Sequence, residues 1–349
     1  MSKVPDSGAD RMFTLISALP DQLERSADLA DFAAVAVGDK RFARIILCGM
    51  GGSAIAGDLV QPLLVRGVSL TVWRNYGLPG WATAADLVIC SSYSGDTEET
   101  LAAAAAAMAL GCTVIAITSG GRLGTSATRA GSTVITLPGG LPPRASLGLG
   151  LGTLVRLLGR LGVVDAAAEE IAAATAWLRS TADARRDPAG ATDREGNLPA
   201  AELAARLLGR IPVIFTAEPE TIGPGLRLRA QLNENSKVPA LVAEFPELNH
   251  NDLVGWDLDS RDRGRFVLVI LRGQGGSPRI DRRVAVTREL LAAEFPEIHE
   301  IRSTATTALA RTMSLVQYGD FVSCHLAVGR QVDPVPVDRI GRLKQALAE

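Results

Sequence analysis

The chain is poor in the side chains that hold metals and disulfides. Its 349 residues include four cysteines and three histidines. Cys48, Cys90, Cys112 and Cys324 stand far apart in apolar segments with no C-x-x-C pair, and His250, His299 and His325 show no H-x-x-x-H spacing. These gaps argue against a disulfide framework or a zinc site and point to buried free thiols in a reducing compartment. No metal and no other cofactor is expected. Excess charge is missing too: a formal net charge of −2 gives no electrostatic reason to expect nucleic acid as a partner. Residues 1–10 are polar and lack the apolar core of a signal peptide, so a cytoplasmic protein is expected. The one run long enough to suggest a membrane helix, Leu101 to Thr118, is mostly alanine, is broken at Gly111 and ends in the β-branched stretch from Thr113 to Ile117. A helix followed by a buried strand accounts for it better, and no membrane contact is expected.

What the sequence does contain is a regular alternation. Hydrophobic residues make up 47% and charged residues 21%, ordinary for a globular protein, and the length suffices for two cores. Short Val/Ile-rich runs at 43–48, 68–73, 87–91, 113–117 and 133–136 read as strands, with helices at 51–65 and 97–109 between them. Strand signals return at 211–215, 239–243, 266–271 and 297–301, with helices at 224–235, 280–293, 304–327 and 335–348. Apolar runs without strict alternation mark strands buried on both faces of a parallel sheet. The expected fold is therefore α/β, with two doubly wound lobes of parallel sheets flanked by helices and ligands at the carboxyl ends of the strands. The lobes are expected at 38–140 and 205–349, after an N-terminal helical segment at 1–37. A helical connector at 141–204 joins them and holds an exposed linker near 178–198, where polar residues, Pro188 and Gly190 show no apolar period.

Two turns between strand and helix carry chemistry. Cys48-Gly49-Met50-Gly51-Gly52-Ser53-Ala54 offers glycines for a close backbone approach and a helix N-terminus for an anion, although such a turn also serves as plain punctuation. Ser91-Ser92-Tyr93-Ser94-Gly95-Asp96-Thr97 supplies hydroxyls at 92, 94 and 97 around a glycine at a helix start. These suit the oxygens of a phosphate monoester, with no Walker lysine present. The plain alternative is a helix cap by Thr97, for which one hydroxyl is enough.

A glycine-serine turn followed by Ser-x-Ser-Gly-x-Thr resembles the sugar isomerase (SIS) domain. Four more segments sharpen the resemblance to the two-lobed bifunctional phosphoglucose/phosphomannose isomerases. They are Pro143-Arg144-Ala145, Asn233-Glu234-Asn235-Ser236-Lys237, Glu247 to Trp256, and Asp333-Pro334-Val335-Pro336 leading to Leu343-Lys344. The resemblance implies Gly52, Ser53, Ser92, Ser94 and Thr97 around a substrate phosphate. It implies Glu234 as the base between C2 and C1, His250 assisting ring opening, Arg144 offsetting the enediolate charge, and Lys344 near the ring oxygen. It also implies a homodimer in which the histidine comes from the neighbouring subunit. The expected substrates are glucose 6-phosphate and mannose 6-phosphate, each exchanging with fructose 6-phosphate without a metal.

The chemistry calls for the same residue types. Imidazole titrates near neutral pH and suits ring opening. A carboxylate can carry a proton between carbons, and a fixed guanidinium stabilises the oxyanion that develops. Each residue also has a plain reading: Glu234 as a solvated partner of Lys237, His250 as a turn residue, Arg144 as a surface ion pair, Lys344 as a solvated terminal charge. His325, in an apolar helix, reads as a packed core residue. The sequence departs from the family pattern at Ala54, at Asp96, whose carboxylate is expected to turn outward to the helix start, and at Val335, which lacks a hydroxyl. The rival readings are a non-catalytic sugar-phosphate regulator and an isomerase of another sugar phosphate.

Overall fold

The computed structural model describes residues 8–30, 32, 35, 42–190, 192–274 and 276–347. The expected N-terminal segment and the start of the first lobe therefore lie partly outside the described residues. In chain order the elements are α1 (Gly8–Ser17), α2 (Leu19–Arg25), β1 (Ile45–Gly49), α3 (Gly51–Val60), β2 (Leu70–Trp73), β3 (Leu87–Ser92), α4 (Glu98–Leu110), β4 (Thr113–Thr118), α5 (Gly121–Arg129) and β5 (Thr133–Thr136). They continue with α6 (Leu147–Arg160), α7 (Ala167–Arg186), α8 (Ala200–Leu207), β6 (Ile211–Thr216), α9 (Pro219–Glu234), β7 (Leu241–Glu244), α10 (Asp252–Gly255), β8 (Phe266–Arg272), α11 (Pro278–Leu291), β9 (Ile298–Arg302), α12 (Ala308–Gly329) and α13 (Asp338–Leu347). The chain divides into two compact units. The first comprises Ala18–Arg179 and Ala305–Met313; the second comprises Met1–Ser17, Ser180–Thr304 and Ser314–Glu349.

The first unit is built on a parallel sheet of order β2-β1-β3-β4-β5. Every residue of β1 and β3 is buried. One face of the sheet, with Ile46, Cys48, Val88, Cys90, Val114 and Ala116, packs against Ala103, Ala104 and Ala107 of α4 and Leu123 and Ala127 of α5. Alanine is small enough to bring α4 close to the strands, which is why the run from Leu101 reads as uniformly apolar. That helix stops at Gly111, whose φ of 81° supplies the left-handed cap, and β4 follows. Among the described residues no helix is long and apolar enough to cross a membrane.

The second unit repeats the plan with a parallel sheet of order β7-β6-β8-β9. Successive side chains on a strand alternate faces. Ile214, Val267, Val269 and Leu271 accordingly join one core with α1, α8, α9 and α12. Val213, Phe215, Leu268 and Ile270 join another with Val284 and Leu291 of α11, Phe295, and Phe245 and Leu248 after β7. A sheet so covered produces the apolar runs without alternation that the sequence shows.

Between residues 178 and 198, where composition suggests an exposed linker, many of the described residues are exposed, but a helix and several buried charges are also present. α7 continues to Arg186, and Arg185 is only 1% exposed. Its guanidinium pairs with Asp193 at 3.0 Å and with Glu195, and donates to the Ser314 carbonyl at 2.9 Å. Glu195 in turn accepts from Ser303 Oγ at 2.7 Å and Ser314 Oγ at 2.6 Å, while Asn197 exchanges two 2.8 Å bonds with the Arg302 backbone. Polar side chains that satisfy one another can be buried, and no hydrophobic period announces them.

Candidate active site

In the first unit α3 connects β1 to β2 on one side, and α4 connects β3 to β4 on the other. The strand order therefore reverses between β1 and β3, where ligands bind in open α/β sheets. Both helices begin there, at the carboxyl ends of adjacent strands. Met50, extended at φ −130°, leads into Gly51 at φ 49°, which turns the chain into α3. Ser53 Oγ accepts the Tyr93 N–H at 3.2 Å, joining the two turns.

In the second turn Ser92 is buried, donates its hydroxyl to Thr97 Oγ1 at 2.9 Å, and accepts the Gly95 N–H at 3.1 Å. Thr97 occupies the cap position of α4 but makes no side-chain capping bond. Its oxygen accepts from Ser92, and its own hydrogen remains to donate to an anion. Ser94 is exposed at the loop tip, its Oγ accepting the Asp96 N–H at 3.3 Å. Gly95 has φ 75°, and a Cβ there would lie 1.9 Å from the Gly120 carbonyl oxygen, so only glycine fits. The Asp96 carboxylate turns away from this cluster of hydroxyls. It accepts from the backbone N–H and Nε of Arg122 at 3.1 and 3.2 Å, at the start of α5 rather than of its own helix.

Tyr93, to which sequence reasoning assigns no role, links this loop to the segment before Arg144. Its hydroxyl donates to the Pro138 carbonyl at 2.7 Å and accepts the Leu141 N–H at 3.1 Å. Only its place inside the Ser-x-Ser stretch hints at this in the sequence. The 3₁₀ turn Pro143–Ala145 lies against Gly52, where a Cβ would sit 3.0 Å from the Pro143 carbonyl oxygen. Arg144 on that turn is 5% exposed, not a surface cation. Gly52, Ser53, Ser92, Ser94, Thr97 and Arg144 thus come from three segments knit together by Tyr93, Ser53 and Gly52.

Glu234, His250 and Lys344 belong to the second unit. Glu234 is the last residue of α9 and is half-buried. The residues after it are tied down: Asn235 Nδ2 donates to Ser323 Oγ at 3.0 Å, and Ser236 Oγ to the Ser323 carbonyl at 2.7 Å. Lys237 Nζ donates to the carbonyl of Glu234 and, at 2.7 Å, to that of Pro336. The Asn233–Lys237 and Asp333–Pro336 segments are thereby brought together. His250 is exposed, and ends the 3₁₀ turn Glu247–Asn249 with its N–H on the Glu247 carbonyl at 2.8 Å. Its neighbours fix that turn: Asn249 Nδ2 reaches Thr287 Oγ1 at 2.9 Å, and Asn251 Nδ2 reaches Glu247 Oε1 at 2.9 Å. Lys344 is exposed on α13, where no residue is buried. His325 is packed in the core, its Nε2 2.9 Å from the Arg185 carbonyl and its ring 4.7 Å from Phe13. Burial lowers its pKa below the usual histidine value.

Chain direction separates Glu234 from His250. α9 leaves the carboxyl end of β6 and, with 16 residues, runs back about 24 Å. It delivers Glu234 to the amino edge of the second sheet, before β7. His250 follows β7 at the carboxyl edge. Within the second unit the two side chains lie at opposite ends of the strands.

Residues 197–347 match the family described as the bacterial phospho-glucose isomerase C-terminal SIS domain. The chain is 36% identical over 340 residues to a bifunctional phosphoglucose/phosphomannose isomerase of Caldicellulosiruptor bescii, covering 97% of this chain and 99% of that protein. It is 34% identical over 306 residues to an Aquifex aeolicus protein of the same name, covering 87% and 90%. Among solved structures, a hypothetical protein from Thermus thermophilus has the same fold, with a TM-score of 0.72 at 16% identity over 98% of this chain and 94% of that one. Similarity to the Caldicellulosiruptor protein along almost the full length of both chains shows that this chain belongs to the bifunctional phosphoglucose/phosphomannose isomerase family.

Proposed function

We propose that the protein interconverts glucose 6-phosphate and mannose 6-phosphate with fructose 6-phosphate, by moving a proton between C2 and C1 through a cis-enediolate and without a metal ion. The observation that carries this reading is the paired turn in which Ser53, Ser92 and Thr97 converge at two helix N-termini beside Arg144, in a chain of this family. The hydroxyls and helix ends hold the phosphate dianion. His250 opens the ring, and Glu234 takes the C2 proton and returns it to C1. Arg144 offsets the enediolate oxygens, where the loss of one such donor typically costs about 2.7–4 kcal/mol in barrier. Lys344 binds near the ring oxygen. Because C2 is planar in the enediolate, one site serves both epimers. Val335 packs against the second unit's core beside the Asp333–Pro336 segment, and its missing hydroxyl bears on the preference between them.

A homodimer fits the separation of Glu234 from His250: a site that uses both takes them from two chains. The test is to mix EDTA-treated protein with fructose 6-phosphate in D2O and follow the sugars by proton NMR. Both aldose 6-phosphates should appear with deuterium at C2. Binding without product or exchange would replace this reading with that of a sugar-phosphate sensor, and a different product would redirect it to another sugar phosphate.

A further inference from the structure

The end of α9 is held in an unusual way. Lys237 has φ 57°, in the left-handed region that costs a side-chain-bearing residue roughly 1–2 kcal/mol. Helices commonly close through a left-handed residue, but glycine is the usual one there. The side chain at this position has a distinct task. Its ammonium bridges the carbonyl of Glu234, the last residue of the helix, and the carbonyl of Pro336, 2.7 Å away in the segment that leads to α13. Arg330 Nη1 then takes the Ser236 and Lys237 carbonyls at 2.7 and 2.6 Å. Two cations therefore occupy carbonyls at the negative end of the helix.

We propose that Lys237 is a positioning residue for Glu234. It locks the helix end that carries the base to the Asp333–Pro336 segment, from which Lys344 follows, so that one ammonium sets the place of both. This inference rests on the reading of Glu234 as the base. A carboxylate that must reach two adjacent carbons tolerates little displacement, and misplacement by about 1 Å can cost about 100-fold in rate. The left-handed backbone makes the role separable from stability. Glycine accepts that conformation freely, so Lys237→Gly removes the clamp while relieving the backbone.

The experiment compares Lys237→Gly, Lys237→Arg and Glu234→Gln for kcat, KM for fructose 6-phosphate, and melting temperature. Lys237→Gly should melt at or above the wild-type temperature, keep KM within about twofold, and lose about 10- to 100-fold in kcat. Lys237→Arg, which keeps several N–H donors, should recover most of that loss. Wild-type kcat in Lys237→Gly would overturn the proposal. So would a loss of kcat that merely follows a fall in melting temperature and is not recovered by arginine. Wild-type turnover in Glu234→Gln would instead overturn the assignment of the base.

Discussion

The two units share the order of four strands, to which the first adds β5, but treat the same crevice in opposite ways. In the first, the gap between β1 and β3 is lined by glycines and hydroxyls, and the carboxylate of Asp96, inside the loop, is drawn off to Arg122. In the second, the gap between β6 and β8 is filled from within. Glu218 accepts the Gly273 N–H at 2.7 Å and the Arg272 Nε at 3.1 Å, and Glu220 takes the Gln274 N–H. Both glutamates are buried, and a Cβ on Gly273 would meet Glu220. The turn after a strand offers donors to an anion in either case. In the second unit its own carboxylates satisfy them; in the first, on the function proposed above, they are left for the substrate phosphate.

The sharpest break in this comparison is Glu218→Ala. It takes from Arg272, whose side chain is 10% exposed, the most buried of three carboxylate partners, the others being Asp281 and Glu300, and removes the cap of α9. A loss of about 1–3 kcal/mol is expected from the hydrogen bonds left unmade, measured by denaturant unfolding. Fructose 6-phosphate affinity per folded chain should hold; an equal loss of affinity would show that the crevices are not separate in function. Next is Gly95→Ala, where the new methyl cannot coexist with the Gly120 carbonyl. Strain of about 1–3 kcal/mol should move the Ser92–Thr97 turn, and calorimetry should register sugar-phosphate affinity at least about tenfold weaker.

A smaller effect concerns acid. All three histidines lie in the second unit. Burial holds His325 below the usual value of 6.5, so the unfolded chain binds its proton more readily. Its stabilising contribution is full above about pH 6.5 and is lost as pH falls below that value towards the lowered folded pKa. Melting temperatures taken between about pH 7.5 and 5 should fall, and His325→Gln should flatten that limb; an unchanged slope would assign the acid response elsewhere. The smallest change is Asp96→Asn. Its ion pair with Arg122 is exposed, with the arginine and aspartate side chains 69% and 53% accessible, so stability should shift by less than about 1 kcal/mol. Phosphate affinity should stay level or rise slightly, and a clear fall would mean that the carboxylate orders the loop.

These contrasts also show what is legible in the sequence. The alternation of strand and helix is readable because parallel strands buried on both faces leave apolar runs, and β5 falls at residues 133–136 as expected. The hydroxyl-rich turns are readable because the residues of each turn are contiguous in the chain. The burial of Arg185, Asp193 and Glu195 is not, since they look like surface charges until they meet one another and Ser314, far along the chain. The role of Tyr93 is hidden for the same reason, as its partners Pro138 and Leu141 lie beyond four intervening elements. Spacing offers Lys237 as a partner of Glu234 at i+3. It does contact that residue, through the backbone carbonyl, and its second contact with Pro336 has no local signature.

The membership of α1 in the second unit sets an order of events during synthesis. Met12, Phe13 and Ile16 are buried with Phe321 and Cys324, and Phe13 stacks on Phe321 at 6.2 Å. The contact between Ala9 and Cys324 spans 315 residues. At about 5–20 residues per second, α1 waits on the order of 15–60 s for these permanent neighbours. Its apolar stripe stays uncovered while the whole first unit is made, so a chaperone that reads short apolar helices would find its clearest target there.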